Sequence, residues 1–298
     1  MRILIIGSKG FIGSGCISYL QTHHEVCGCD VLPADGSTNY FQLNSINTDF
    51  SPLFEKKNFD ACINCSGAAS VPDSIINPAK DFDLNTNNVF KILDGIAKYQ
   101  PGCKFLNLSS AAVYGNPVSL PVNEKAAILP LSPYGWHKHY AELICKEFTV
   151  TKNISTCSVR IFSAYGEGLK KQLFWDLYQK GKSRKTVELF GTGNESRDFI
   201  YIRDLARLLE MVVEKADFKG ECINAAGGQE IFLKEAVELF YSLVDPVPSY
   251  KFTDQVRKGD PLNWCADTST IQSMGYMTQY TLQQGLQNYV QWLKEEKL

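Results

Sequence analysis

The chain predicts an α/β fold, a doubly wound parallel sheet with a smaller, interleaved C-terminal substrate lobe, on three observations. Short β-rich runs alternate with amphipathic stretches of ten or more residues throughout the first half. The first apolar run ends in a glycine-rich turn that leads directly into a helical pattern. Composition is globular, with 44% hydrophobic and 21% charged residues among 298, enough to bury a substantial core.

Parallel strands need long crossovers, which helices supply, so the alternation implies a sheet covered on both faces. Strands are expected at 3–6, 26–29, 40–43, 61–65, 105–108 and 156–161, with helices at 11–20, 79–99 and 134–151 between them. Beyond residue 161 the pattern loosens. It gives a helix near 169–179, a strand at 187–190, a hairpin-like stretch ending at Ile202, a helix at 205–214, a strand at 222–224 and helices near 233–243 and 282–293. Residues 1–161 and 203–228 are therefore assigned to the sheet domain, and residues 162–202 and 229–298 to the second lobe.

Charge and cysteine usage exclude several classes of function. The formal net charge is −2, from 30 basic and 32 acidic residues with no long run of either sign, which leaves no electrostatic footprint for nucleic acid or an anionic membrane. The opening apolar run is too short for a signal-peptide core or a membrane span, so the expected address is the cytoplasm. Ten cysteines are mostly scattered; Cys27 with Cys29 and Cys62 with Cys65 fall inside strand-like runs without nearby histidines. They read as reduced, buried thiols, and no metal site is expected.

The turn Gly7-Ser8-Lys9-Gly10-Phe11-Ile12-Gly13 has the strand-to-helix context of a dinucleotide fingerprint. Glycines let the backbone approach a pyrophosphate, and the following helix start offers it free N–H groups. Asp30 closes the second strand, where a carboxylate accepts hydrogen bonds from an adenosine ribose and repels a 2′-phosphate. Lys9 pulls the other way, toward NADP. Asp30 is weighted more heavily, so the expected cofactor is NAD.

Tyr134 and Lys138 stand four positions apart on a predicted helix and share one face. A tyrosine beside a fixed cation releases its proton more readily than the usual pKa of about 10 allows, so the pair reads as a general base. Ser110 lies upstream in the run Leu-Asn-Leu-Ser-Ser-Ala-Ala-Val-Tyr-Gly.

Together with the glycine turn and Asp30, that run, Ser132-Pro-Tyr-Gly-Trp-His-Lys138, Arg160-Ile-Phe-Ser-Ala-Tyr-Gly166 and Arg197-Asp-Phe-Ile-Tyr-Ile-Arg-Asp204 carry a resemblance. The chain resembles the extended short-chain dehydrogenase/reductase family, and within it the NAD-dependent nucleotide-sugar epimerase/dehydratase branch with its Rossmann sheet. The motifs run in family order from residue 3 to Arg257-Lys-Gly-Asp260-Pro, nearly the whole chain. The resemblance implies Ser110, Tyr134 and Lys138 as the catalytic set. It implies Gly7, Gly10, Phe11, Ile12, Gly13 and Asp30 as cofactor-binding, with Cys65, Ser66, Gly67 and Ala68 passing under the cofactor, Asn85 beside it and the Phe162 backbone at the nicotinamide amide. Ser163, Arg197, Arg257 and Asp260 are implied for the sugar nucleotide, and a homodimer is implied through the helices at 79–99 and 134–151.

The implied chemistry is hydride transfer at a sugar carbon, with Tyr134 taking the hydroxyl proton. Lys138 and the oxidised nicotinamide together must then lower the phenol by ~3 units, or ~4 kcal/mol. Dehydratases of the family carry an acidic pair just after the serine or threonine, where this chain has Ala111 and Ala112, so elimination is disfavoured. Epimerisation remains, with NAD(P)-dependent reduction of a keto sugar as the alternative. A catalytically silent NAD-binding regulator has no need to keep Ser110, Tyr134 and Lys138 together. Two departures from the family pattern bear on the sugar: Ser163 stands where asparagine is common, and Glu167 where proline is usual.

Overall fold

A computed structural model describes residues 1–34, 36, 39–46, 48–182, 186–245, 247–255, 259 and 261–296. In chain order its first half contains β1 (Arg2–Ile6), α1 (Phe11–Leu20), β2 (Glu25–Asp30), β3 (Tyr40–Gln42), α2 (Ser51–Lys56), β4 (Ala61–Asn64), α3 (Val71–Ile76), α4 (Pro78–Phe82), α5 (Asn88–Tyr99), β5 (Lys104–Ser110), α6 (Pro133–Lys152) and β6 (Thr156–Ile161). The second half adds β7 (Ser163–Tyr165), α7 (Gln172–Gly181), β8 (Val187–Leu189), β9 (Ser196–Arg197), β10 (Phe199–Tyr201), α8 (Ile202–Lys215) and β11 (Lys219–Ala225). It closes with β12 (Ile231–Phe232), α9 (Leu233–Ser242), β13 (Tyr250–Phe252), α10 (Ser269–Ser273) and α11 (Leu282–Glu295).

Seven parallel strands form one sheet in the order β11-β6-β5-β4-β1-β2-β3. The continuous apolar run of β1 follows from burial on both faces. Ile3 and Ile5 pack with Cys16 and Leu20 of α1 and with Leu205, Leu208 and Val212 of α8. Leu4 and Ile6 pack on the other side against Leu53 of α2, Ile92 and Leu93 of α5, and Ala141 and Cys145 of α6. Each such aliphatic side chain contributes about 1.5–3 kcal/mol by leaving water, so the β1 alternation fixes which helices lie on which face. The predicted doubly wound sheet is present, with β11 joining it from far along the chain.

The strand order reverses between β1 and β4, since β1 pairs with β2 on one side and β4 on the other. Crossovers leave in opposite directions there, and a crevice opens at the carboxyl ends of those two strands.

Three differences from the sequence reading have local causes. The 79–99 helix starts at Pro78, capped by Asn77, whose side-chain oxygen accepts the Lys80 N–H at 3.1 Å, and it is interrupted by a π-helical turn over Asp83–Asn87. The short helices α2 and α3 lie outside the predicted set; each has proline in its first turn, and Ser70 caps α3. The stretch ending at Ile202 is not a hairpin. β9 pairs antiparallel with β12 and β10 pairs parallel with β7. Between them Asp198, fully buried, accepts backbone N–H groups of Gly227, Gly228 and Ala266, and its carbonyl accepts that of Ser163. That carboxylate ties the two short strands outward to different partners.

Candidate active site

The glycine turn occupies the crevice at the end of β1. Gly7 and Ser8 donate their N–H groups to the Cys29 carbonyl at 2.8 and 3.1 Å, which folds the turn back onto β2. Gly7 adopts φ +80°, and a Cβ there would stand 2.6 Å from the Ser66 nitrogen. A Cβ on Gly13 would stand 2.1 Å from the Gly7 carbonyl oxygen. Any side chain at either position would force the turn away from β4 or α1 away from the turn. Helix α1 therefore starts at Phe11, Ile12 and Gly13 behind Gly10, and among the described residues no side chain caps it. Its first N–H groups stay available to an anion.

Asp30 is half-buried at the end of β2. One carboxylate oxygen accepts the Lys9 N–H at 2.9 Å and the other the Val31 N–H at 2.7 Å, which fixes the group beside the turn. The Lys9 ammonium lies 5.3 Å from the Tyr40 ring centroid, toward β3.

On the other wall, Cys65 continues the β4 ladder through its N–H to the Ile6 carbonyl, while Ser66 gives both its N–H and its hydroxyl to Asn64 Oδ1. Gly67 has φ +121°, and a Cβ on it would meet Asn85 Oδ1 at 2.5 Å. Ala68, half-buried, follows in the same loop. Asn85 sits on the π-helical turn at 1% exposure, with neither its amide nitrogen nor its oxygen hydrogen-bonded within the protein. Burying both halves of an amide unpaired costs several kcal/mol, so such a side chain is poised for a ligand. The bare glycine cradle, the uncapped helix and this orphaned amide fit a dinucleotide cofactor.

The remaining side of the crevice carries Ser110, Tyr134 and Lys138, the three residues the sequence resemblance implied. Ser110, the last residue of β5, accepts the Ala112 N–H at 3.2 Å and starts a short 3-10 turn over Ala111–Val113. Helix α6 begins hard against that turn: a Cβ on Gly135 would stand 2.6 Å from the Ala112 carbonyl oxygen. Ser132 caps the helix through Gly135 N–H, and Tyr134 N–H donates to Ser74 Oγ. These contacts set the Ser110 hydroxyl beside the Tyr134 phenol, where it favours the ionised form. Lys138, one turn on and 7% exposed, donates to the Leu108 carbonyl at 2.9 Å, with its nitrogen 5.9 Å from the Tyr134 ring centroid.

Burial governs both groups in the protein alone. Burial pushes the phenol up to about 12; the Ser110 hydrogen bond draws it down and the Asp81 charge raises it further. Burial brings Lys138 down to about 8, against the opposing pull of Asp81, Cys65 and Glu142. Desolvation disfavours the charged form of both groups, phenolate and ammonium alike, and here it outweighs their proximity.

Several groups that shape this site carried no signal on which sequence reasoning drew. His137, between Tyr134 and Lys138, is bonded through Nδ1 to Asp81 at 2.6 Å, and the other Asp81 oxygen is buried without a partner. Glu142, one turn beyond Lys138, takes both Nε and Nη2 of Arg160 at 2.8 and 2.9 Å, plus the Ser109 hydroxyl at 2.6 Å. A carboxylate four residues after Lys138, opposite an arginine in the next strand, was the available clue. Glu167, by contrast, stood out in the sequence; it accepts from the Tyr201 hydroxyl at 2.7 Å and Arg203 at 2.8 Å, which ties the loop after β7 to β10 and α8.

Phe162 is buried; its N–H donates to the Ala225 carbonyl and its ring packs by Tyr114 and Trp264. Ser163 follows it at the start of β7. Arg197 donates to the Ser196 and Leu262 carbonyls and lies over the Trp264 ring at 5.7 Å. Arg257 and Asp260 lie outside the described residues.

This constellation agrees with what the chain is similar to. The profile described as NAD dependent epimerase/dehydratase family matches residues 3–226. The chain belongs to the NAD dependent epimerase/dehydratase family. A protein from Methanocaldococcus jannaschii named putative UDP-glucose 4-epimerase is 29% identical over 306 residues, covering 98% of each chain. The family's other activity is also among the relatives: the dTDP-glucose 4,6-dehydratase of Salmonella typhimurium is 25% identical over 98% of this chain and 92% of its own. Among solved structures, UDP-glucose 4-epimerase of Thermotoga maritima with UDP-glucose superposes with a TM-score of 0.88 at 25% identity over 100% of both chains. Membership in the NAD dependent epimerase/dehydratase family assigns NAD-dependent nucleotide-sugar chemistry at family level. Among the described residues no helix is long and apolar enough to cross a membrane.

Proposed function

We propose that this chain is an NAD-dependent nucleotide-sugar epimerase that inverts C4 of a nucleoside-diphosphate hexose through a transient 4-keto sugar. The observation that carries the reading is the convergence of Ser110, Tyr134 and Lys138 beside the glycine crevice, with Ser110 close enough to Tyr134 to favour its phenolate and the Lys138 nitrogen 5.9 Å from the Tyr134 ring centroid. Gly7, Gly10, Phe11, Ile12 and Gly13 would hold the pyrophosphate, Asp30 the adenosine ribose, and Asn85 with the Cys65–Ala68 loop and Phe162 the rest of the dinucleotide. When bound, the nicotinamide supplies a hydride acceptor that returns the hydride. Tyr134 receives the C4 hydroxyl proton and gives it back, Ser110 holds the reacting oxygen, and Lys138 keeps a positive charge beneath the phenol. Ala111 and Ala112 supply no carboxylate for removing a C5 proton, which favours epimerisation over dehydration. The Asp30 carboxylate beside the turn favours NAD over NADP.

Residues 1–161 and 203–228 would form the dinucleotide-binding unit, and residues 162–202 and 229–298 the sugar-nucleotide lobe. Ser163, Arg197, Arg257 and Asp260 would meet the substrate, since guanidinium forks suit diphosphate oxygens. The relatives' names make UDP-hexoses the first substrates to try. Exposed apolar side chains on α5 and α6, namely Phe90, Trp136, Leu143 and Val150, support a homodimer through this helix pair. Light scattering should give twice the mass of one chain, falling to one chain in Leu143→Glu; a monomer in the unmodified protein refutes this assembly.

Proton NMR of UDP-, GDP- and dTDP-hexoses incubated with the protein and NAD tests the function. One of them should give its C4 epimer with no net change in NAD. Reduction of an added keto sugar without inversion of any hexose would move the protein to the keto-reductase class, and no conversion with NAD bound would leave a silent binding protein.

A further inference from the structure

Far from the crevice, at the opposite end of the sheet, the turn between α1 and β2 carries His23 and His24, two of the chain's four histidines. They face α8, where Glu210 and Glu214 stand one helical turn apart on one side of the helix. His24 Nε2 lies 2.9 Å from Glu210 Oε1, and one ligand atom from each of His24, Glu210 and Glu214 lies within 4.8 Å of the other two. His24 and Glu210 are largely buried, with side chains 9% and 14% exposed, whereas Glu214 is exposed. His23 Nδ1 is 3.6 Å from the same Glu210 oxygen.

We propose that His24, Glu210 and Glu214 form a binding site for a divalent transition-metal ion, with His23 placed to supply a fourth ligand. An ion bound at about 2.1 Å from each donor sets neighbouring donors roughly 3 Å apart and opposed donors about 4 Å apart. The His24–Glu210 pair already has the first spacing, and rotation of the exposed Glu214 side chain reaches the rest. One or two imidazole nitrogens with two carboxylates suit zinc, nickel or cobalt; an all-oxygen set would suit magnesium or calcium, and thiolates copper(I). Two glutamates at i and i+4 repel each other, and a cation between them removes that repulsion.

Binding displaces the direct His24–Glu210 contact and pins the α1–β2 turn to α8. At their other ends these two helices are already locked, because a Cβ on Gly15 of α1 would stand 2.7 Å from the Ile202 side chain of α8. The ion would thus fix the second end of the helix pair that carries the glycine turn, without touching the crevice.

Tag-free full-length protein titrated with Ni²⁺ by calorimetry tests the site, because a polyhistidine tag would itself bind. One equivalent should bind. Affinity should fall at least about tenfold in Glu214→Gln and be lost in His24→Ala, and Ni²⁺ should raise the thermal midpoint of the unmodified protein but not of Glu214→Gln. Glu214 is exposed, so its variant folds whatever becomes of His24→Ala. Absence of stoichiometric binding leaves only a histidine–glutamate ion pair and overturns the proposal. Equal affinity in Glu214→Gln does so too, as does a thiolate charge-transfer band with Co²⁺, which would place the ion on a cysteine.

Discussion

Helix α6 carries two buried charged groups one turn apart, and their surroundings treat them in opposite ways. Glu142 is matched on every side: burial would raise it, but hydrogen bonds from His139, Arg160 and Ser109 outweigh that and hold it down to about 2. Lys138 donates a hydrogen bond to the Leu108 carbonyl, and burial brings it down to about 8. A carboxylate held below its ordinary value stabilises the fold, whereas an ammonium held below its own destabilises it. The C-terminal part of the helix is built for stability. The N-terminal part, with the Lys138 ammonium buried and Asn85 unpaired nearby, stores cost that a ligand can relieve.

The sharpest break of this contrast is Tyr134→Phe. It should lower turnover by about 10²–10⁴-fold, the worth of a general base, while NAD binding and thermal stability stay near those of the unmodified protein. Unchanged turnover would remove Tyr134 from the chemistry. Next in size is Glu142→Gln, which leaves the buried Arg160 unmatched and should cost roughly 3–5 kcal/mol in urea unfolding near neutral pH. The sign follows from linkage. With its folded value near 2 and its ordinary value at 4.5, Glu142 stabilises fully above 4.5, and that contribution disappears as pH falls toward 2. Unfolding free energies measured across that window should therefore converge for the two proteins; a constant gap would place the loss in packing.

Lys138→Met works in the opposite direction. Below pH ~8 the native protein holds a buried ammonium at a cost that is relieved as pH rises from about 8 toward 10.5. The methionine variant should gain on the order of 1–3 kcal/mol near neutral pH and lose activity. A destabilised variant would show Lys138 to be a structural group like Glu142. The smallest effect is expected for Asp30→Ala, about tenfold weaker NAD binding with relaxed discrimination against NADP, read by calorimetry with both dinucleotides. Equal affinity for the two in the unmodified protein would mean that Lys9 dominates.

The same contrast explains what the sequence made legible. Glycines at positions 7, 10 and 13, the apolar β1 run and the spacing of Tyr134 and Lys138 each express a local rule: a turn, a two-faced strand, one helical face. Those readings located the sheet and the glycine turn at its crevice. Partnerships across long separations leave no such trace. Asp81 meets His137 across 56 positions, and Asp198 gathers N–H groups from near residues 228 and 266. The burial that raises Tyr134 in the protein alone left no trace in the sequence for a related reason. Spacing shows proximity, but desolvation depends on everything packed around the pair.

The central claim is that Tyr134 becomes a base only once its cleft holds an oxidised nicotinamide beside Lys138. Phenolate absorbance in the near ultraviolet, taken as the difference between the unmodified protein and Tyr134→Phe over a pH titration, tests it directly. Without NAD the difference should stay flat through the neutral range. With saturating NAD one phenol should ionise near pH ~7, a fall of about 5 units from its value of about 12 in the protein alone. A difference spectrum that stays flat with NAD bound would contradict the account.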